Sequence, residues 1–339
     1  MKIKTPICDF VRRYADSKTE RWHMPGHKGS GVLGIEVFDI TEISGADSLY
    51  EAGGIIKESE EIASSLFGAH TFYSTEGSSQ CIRAMLSLAL LKARNEKKPP
   101  LVWAARNAHK TFLSAIALLD MDVEWLYGSE KENYLSCTLC PEELEKVFKK
   151  AETLPTALYL TSPDYLGNIA DVSAIAEICH RYDVLLLVDC AHGAYLKFLE
   201  NSLYPTDLGA DMCCSSAHKT LPVLTGGAYL HLAKSIDATI LDAAKNALAL
   251  FGSTSPSYLI LQSLDAANAY LAKDCRENLS RTVARLDELK KRLALHGYQL
   301  VGNEPLKITF ATKSFGRSEE RRVGKECPRV CRSRWSPYH

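Results

Sequence analysis

Lys219 lies in Ser215-Ser216-Ala217-His218-Lys219-Thr220-Leu221-Pro222, and Thr225-Gly226-Gly227 follows shortly after. A lysine between a histidine and a threonine, with small hydroxyl residues before it and a glycine pair after it, suits an amine that holds an aldehyde cofactor as a Schiff base. Read alone, the stretch fits a solvated surface lysine equally well, so the other contacts of such a cofactor must be found elsewhere in the chain. Glu76-Gly77-Ser78-Ser79 is one candidate. A glycine and two serines where a strand gives way to a helix offer backbone N–H groups, hydroxyl donors and the positive end of the helix dipole, a set that binds phosphate. Plain helix capping by Ser78 or Ser79 is the alternative. Asp189 is another candidate: it closes the apolar run Val184 to Val188, at the carboxyl end of a strand, where α/β sheets place their ligands.

These residues need a scaffold, and the hydrophobic pattern supplies one. Strands are expected at Thr71–Thr75, Leu101–Ala105, Val123–Leu126, Ala157–Thr161, Val184–Val188, Asp211–Ser215 and Gly227–Leu232, the last pairing beside the one before it. Helical spacing is expected between them, at 57–67, 80–93, 111–119, 141–151 and 172–182. Pro141 followed by Glu142 and Glu143 is a good helix start, since proline tolerates the first turn and acidic groups suit the dipole. The run at 184–188 is apolar on both faces, as a central parallel strand requires. Alternating strand and helix from Lys57 to Leu232 predicts an α/β fold: a three-layer αβα domain around a mostly parallel sheet. A short helix near Ile7–Tyr14 precedes it, and then comes the loop Arg21-Trp22-His23-Met24-Pro25-Gly26-His27-Lys28-Gly29, suited to an anion or a partner subunit. Beyond Ala233 the pattern is mainly helical. The segment Ser257–His296 should form two helices or one kinked helix leading to a second domain, whose first strands lie within Tyr298–Thr312 with Gly302-Asn303 as the turn.

Composition narrows the partners. The 339 residues are 46% hydrophobic and 24% charged, with a formal net charge of -1, so no basic field recommends nucleic acid or an anionic membrane. The N-terminus lacks an apolar signal core, and no apolar run approaches the roughly 18 residues of a membrane span. A cytoplasmic protein acting on a small molecule is expected. Eleven cysteines scattered through a long chain point to reduced thiols. Cys137-Thr138-Leu139-Cys140 has C-x-x-C spacing, but no second ligand pair lies nearby and no metal is expected.

Taken in order, several stretches resemble one family, the pyridoxal-phosphate decarboxylases of ornithine, lysine and arginine, which have the aspartate aminotransferase fold. They are His23-Met24-Pro25-Gly26-His27-Lys28-Gly29, Gly53-Gly54-Ile55-Ile56-Lys57, Glu76-Gly77-Ser78-Ser79, Arg106-Asn107-Ala108-His109-Lys110, Ser162-Pro163-Asp164-Tyr165-Leu166-Gly167, Val188-Asp189-Cys190-Ala191-His192-Gly193, Ser216-Ala217-His218-Lys219 and Ser253-Thr254-Ser255-Pro256-Ser257-Tyr258. Their order and separations match across Pro6 to Thr312. The resemblance implies pyridoxal 5'-phosphate as cofactor, with Lys219 forming the Schiff base and moving a proton at the substrate carbon, and with His218 beside it. It implies that Asp189 pairs with the pyridine nitrogen and that His109 stacks on the ring. Ser78, Ser79 and Ser216 would bind the phosphate with backbone help from Gly77, and His192 would approach the ring or its phenolic oxygen. A second subunit would complete the site through Ser253, Thr254 and Ser255, which makes a homodimer the minimum assembly.

The implied reaction is decarboxylation of arginine, lysine or ornithine to the amine, on the route to polyamines. Aminotransferase chemistry and a catalytically incomplete cofactor-binding or assembly protein are the alternatives. Cys190, Tyr195 and Glu76 depart from the family's usual residues without removing an essential group. From Arg317 the chain turns abruptly basic and loses hydrophobic period, reading like a translated sequencing adapter. The expected organisation is an N-terminal segment over 1–50, a large cofactor-binding domain over 51–250, linker helices and the start of an incomplete small domain over 251–316, and a non-native tail over 317–339.

Overall fold

The computed structural model describes residues 3–128 and 135–311; Thr312 and the whole expected tail lie outside the described residues. A seven-stranded sheet forms from β1 (His70–Ser74), β2 (Leu101–Ala105), β3 (Asp122–Leu126), β4 (Ala157–Thr161), β5 (Leu185–Asp189), β6 (Met212–Ser215) and β7 (Ala228–Leu232), in the order β1-β7-β6-β5-β4-β2-β3. β7 alone runs antiparallel to its neighbours, between β1 and β6; the pairings β6-β5, β5-β4, β4-β2 and β2-β3 are parallel. The mostly parallel α/β sheet is as the alternation predicted.

Successive residues of a strand face opposite sides of a sheet, and the core divides accordingly. Leu158, Leu160, Leu186, Val188 and Tyr229 belong to one apolar cluster, whereas Ala157, Tyr159, Leu185, Leu187 and Leu230 belong to the other. The helices are α1 (Pro6–Asp16), α2 (Ile55–Phe67), α3 (Ser78–Glu96), α4 (Lys110–Leu119), α5 (Pro141–Lys150), α6 (Val172–Arg181), the single turn α7 (Ala217–Thr220), α8 (Ala238–Ala249), α9 (Tyr258–Lys273) and α10 (Cys275–Leu295). α3, α4 and α8 cover the second cluster through residues such as Met85, Phe112 and Leu248. α1, α2, α5, α6, α9 and the start of α10 cover the first. The sheet is thus sandwiched between helical layers. The long helical segment resolves into two helices that break at Asp274. Short strands β8 (Leu300–Val301) and β9 (Thr309–Phe310) pair beyond it. Their connection starts at Gly302, whose φ of 81° is left-handed and suits glycine.

One polar group in this core makes stability depend on pH. His231 on β7 is fully buried, with Nδ1 3.0 Å from Thr71 Oγ1 and Nε2 3.4 Å from Ser215 Oγ. Burial first, and the charge of Lys197 second, push its pKa down from 6.5 to about 3. The unfolded chain therefore takes up a proton as pH falls through about 6.5 while the folded chain does not. Stability present above that pH is lost on acidification, by up to ~1.4 kcal/mol per pH unit for this group. Replacing it, as in His231→Gln, is expected to flatten the slope of unfolding free energy between about pH 6 and pH 4, inside the span from 6.5 to about 3, measured by urea denaturation across a pH series. Parallel slopes in the two proteins would contradict this.

Candidate active site

Because β4, β5 and β6 are parallel, their carboxyl ends share one edge of the sheet, and the connection from β6 to β7 begins and ends on that edge. Asp189, the last residue of β5, is only 2% exposed. Its Oδ2 accepts the hydroxyl proton of Tyr159 at 3.1 Å and its Oδ1 accepts the N–H of Ala191 at 3.1 Å. The Cys214 thiol lies 3.7 Å from Oδ1. Several donors thus converge on a carboxylate that is withdrawn from solvent.

The turn after β1 brings Gly77 to the N-terminus of α3 with φ 72° and ψ 179°, a conformation restricted to glycine. The helix begins at Ser78, and neither serine caps it through its side chain. Their hydroxyls reach across the fold instead. Ser216 Oγ donates to Ser78 Oγ at 2.8 Å, and Ser79 Oγ lies 3.2 Å from Thr111 Oγ1. Gly77 spends its own N–H on the Gly226 carbonyl at 2.7 Å. Backbone donation to an anion here therefore falls to Ser78 and Ser79, whose first-turn N–H groups have no partner within the helix. The site thus joins three segments distant in sequence: the turn after β1, the start of α7 and the loop before β7.

His109 caps α4, its Nδ1 accepting the Thr111 N–H at 3.2 Å. His192 is partly buried. Burial, then the charges of Lys219, Lys307 and His109 in that order, drive its pKa down from 6.5 to about 3, so the imidazole is neutral at physiological pH. Those interactions bring His109, His192 and Lys219 into one electrostatic neighbourhood. Lys219 is exposed on α7, with its N–H donating to the Ser216 carbonyl at 3.1 Å. His218 turns toward β7: its Nδ1 lies 3.1 Å from the Gly227 carbonyl and donates to it. Thr254 lies on the exposed loop between α8 and α9 beside Ser253 and Ser255.

Sequence reasoning missed several contributors. Tyr159 reads as one more apolar strand residue, although it shares the parity of Thr161, which is paired directly with Asp189 in the register. Thr111, which ties Ser79 to His109, carries no motif. Lys307 comes from the segment past β8. Its Nζ is 3.0 Å from Glu304 Oε2 and 3.4 Å from the Asp164 carbonyl. The turn at Asn303 and Glu304 donates two N–H groups to the Gly167 carbonyl, at 2.8 and 2.9 Å. The start of the final strand pair is thereby fastened to the loop after β4. Among the described residues, Asn107 Oδ1, Thr161 Oγ1 and Thr220 Oγ1 are buried without a hydrogen-bond partner, and all three lie in segments bordering this edge. No helix of the described residues is long and apolar enough to cross a membrane.

The sequence matches the model of the Orn/Lys/Arg decarboxylase major domain over residues 5–312. It is 32% identical to an uncharacterized protein of Bacillus subtilis, YaaO, over 92% of this chain and 68% of that protein. It is 30% identical to an arginine decarboxylase of Halalkalibacterium halodurans over 92% of this chain and 67% of that one. The fold resembles that of a lysine decarboxylase of Francisella novicida with a TM-score of 0.72 at 20% identity, covering 86% of this chain and 44% of the other. The chain spans about two thirds of the length of these curated relatives and less than half of that solved structure.

Proposed function

The chain belongs to the Orn/Lys/Arg decarboxylase family, and from that premise we propose that it binds pyridoxal 5'-phosphate and decarboxylates a basic amino acid, arginine, lysine or ornithine, to the corresponding amine. The observation that carries the reading is a buried carboxylate, Asp189, at the same edge of the sheet as the Ser78–Ser216 hydroxyl pair and the lysine three residues beyond Ser216. The fit to this cofactor is chemical: each polar part of a phosphorylated pyridine aldehyde has a counterpart here. Unpartnered polar atoms at Asn107, Thr161 and Thr220 supply further hydrogen-bonding capacity of the kind a buried polar ligand satisfies.

In this reading Ser78, Ser79 and Ser216 hold the phosphate, with the first-turn N–H groups of α3 and the positive end of its dipole. The glycine at 77 keeps a side chain out of the approach. Asp189 holds the proton on the pyridine nitrogen, and when bound the protonated ring supplies an electron sink for the pair left behind as carbon dioxide departs. His109 covers the ring face. Lys219 is the residue that would hold the aldehyde end of the cofactor, and once its amine is free it would carry the proton to the α-carbon of the substrate. His192, neutral beside Lys219, can donate its ring N–H to the cofactor's phenolic oxygen or to substrate, and His218 braces the lysine turn against β7. Thr254, with Ser253 and Ser255, is assigned to the site of a second copy, so that a homodimer is the working assembly. Placement in the cytoplasm and a role in polyamine synthesis belong to the same proposal.

The test is product analysis with arginine, lysine and ornithine in the presence of pyridoxal phosphate. Carbon dioxide and agmatine, cadaverine or putrescine in equal amounts, without keto acid, are expected from one of the three. A keto acid formed only with an acceptor present would make the protein an aminotransferase and overturn the proposal.

A further inference from the structure

We infer that Tyr159 is a positioning residue that selects which oxygen of Asp189 meets the cofactor's ring nitrogen and holds the negative charge on Asp189. The inference rests on the function proposed above. Each carboxylate oxygen offers about two lone-pair sites. Oδ1 faces two donors, the Ala191 N–H at 3.1 Å and the Cys214 thiol at 3.7 Å. Oδ2 receives one, the Tyr159 hydroxyl at 3.1 Å, and so retains a site for an incoming N–H. The oxygen left open to the cofactor is therefore the one that Tyr159 touches.

The phenol is built for this task. Tyr159 is fully buried and its ring packs on Phe112 with centroids 4.5 Å apart, so its hydroxyl is directed without a search over rotamers. Burial, and then the charge of Asp189, raise its pKa well above the ordinary phenol value, which makes it a donor at every working pH. Three thiols also lie in the field of Asp189: Cys81 from α3, Cys190 just past β5 and Cys214 from β6. Burial raises each of them as well, so the thiols stay protonated and add no negative charge beside the carboxylate. A donor on a carboxylate stabilises its anion and lowers its basicity. The proton shared between Asp189 and the ring nitrogen accordingly resides on the nitrogen. Without the hydroxyl, Oδ2 becomes the stronger base and draws that proton toward itself.

The experiment reconstitutes the full chain with pyridoxal phosphate labelled with ¹⁵N in the ring and reads the nitrogen chemical shift, alongside the dissociation constant of the cofactor. Wild type is expected to show a protonated ring nitrogen. Tyr159→Phe, which keeps the ring and its packing, is expected to move the resonance toward the unprotonated value and to weaken cofactor binding about tenfold. Phe112→Leu disturbs the packing but keeps the hydroxyl; it is expected to lower the melting temperature while leaving the resonance in place. An unmoved resonance in Tyr159→Phe, or an equal movement in Phe112→Leu, would overturn the inference while leaving the function intact. Failure of the wild-type chain to bind the cofactor at all would overturn the function, and this inference with it.

Discussion

Lys219→Ala protein, mixed with pyridoxal phosphate and treated with borohydride, is expected to carry no covalent adduct, whereas wild type carries one cofactor mass on the peptide containing residue 219. Decarboxylation should fall by at least about a thousandfold, since both the covalent hold and the proton transfer at the α-carbon are lost. The substitution leaves the fold standing. Lys219 is exposed, its turn α7 is held by backbone bonds such as Leu221 N–H to the Ala217 carbonyl at 2.8 Å, and alanine favours a helical turn. Circular dichroism and melting temperature should therefore match wild type. An adduct that persists on another lysine, or activity within tenfold of wild type (about 1.4 kcal/mol), would refute the assignment of Lys219.

The second large effect concerns Asp189. In Asp189→Asn the carboxylate becomes an amide, which has one acceptor oxygen and a group that only donates. The native carboxylate accepts on both oxygens, from Tyr159 and from Ala191, so the amide must present N–H to one of these donors. That clash of donors costs about 1–3 kcal/mol at a buried site, and the amide cannot hold a proton on the ring nitrogen. The variant is expected to melt at lower temperature. With the cofactor saturating, it should lose about 10²–10³-fold in kcat, the scale typical of removing one electrostatic stabiliser. A variant with wild-type kcat under those conditions would show that Asp189 only supports the fold.

The two substitutions probe features that differ in how openly the sequence displays them. Asp189 is legible because five apolar residues, Val184 to Val188, lead up to a lone acid, and a strand buried on both faces can end in a charge only where something receives it. The loop at Glu76–Ser79 is legible because its composition suits a helix start. Its hydroxyls, however, face Ser216 and Thr111 rather than the helix end, and local composition cannot distinguish these outcomes. The commitment of the Gly77 N–H to Gly226 is likewise a meeting of distant segments that no local pattern records. Tyr159 is hidden for a different reason. Its ring satisfies the apolar pattern of β4, so its hydroxyl attracts no notice until the fold aims it at Asp189, two residues beyond its register partner Leu187. The strands and helices themselves follow from periodicity, and the break at Asp274 settles a choice between one kinked helix and two that hydrophobic spacing had left open.

The strand order has a consequence for how the chain can be divided. Ser78 follows β1 and Ser216 precedes β7, two strands that are neighbours in the sheet although the paired hydroxyls stand 138 residues apart in sequence. β1 is held at the border of the sheet solely by β7, from His70 against Leu232 to Ser74 against Ala228. Any fragment that starts after β1 leaves the turn that carries Ser78 without the strand that leads into it, and any fragment that stops before β7 leaves β1 with no strand to join. The proposed site is thus indivisible: it cannot be carried on a module shorter than the stretch from His70 to Leu232.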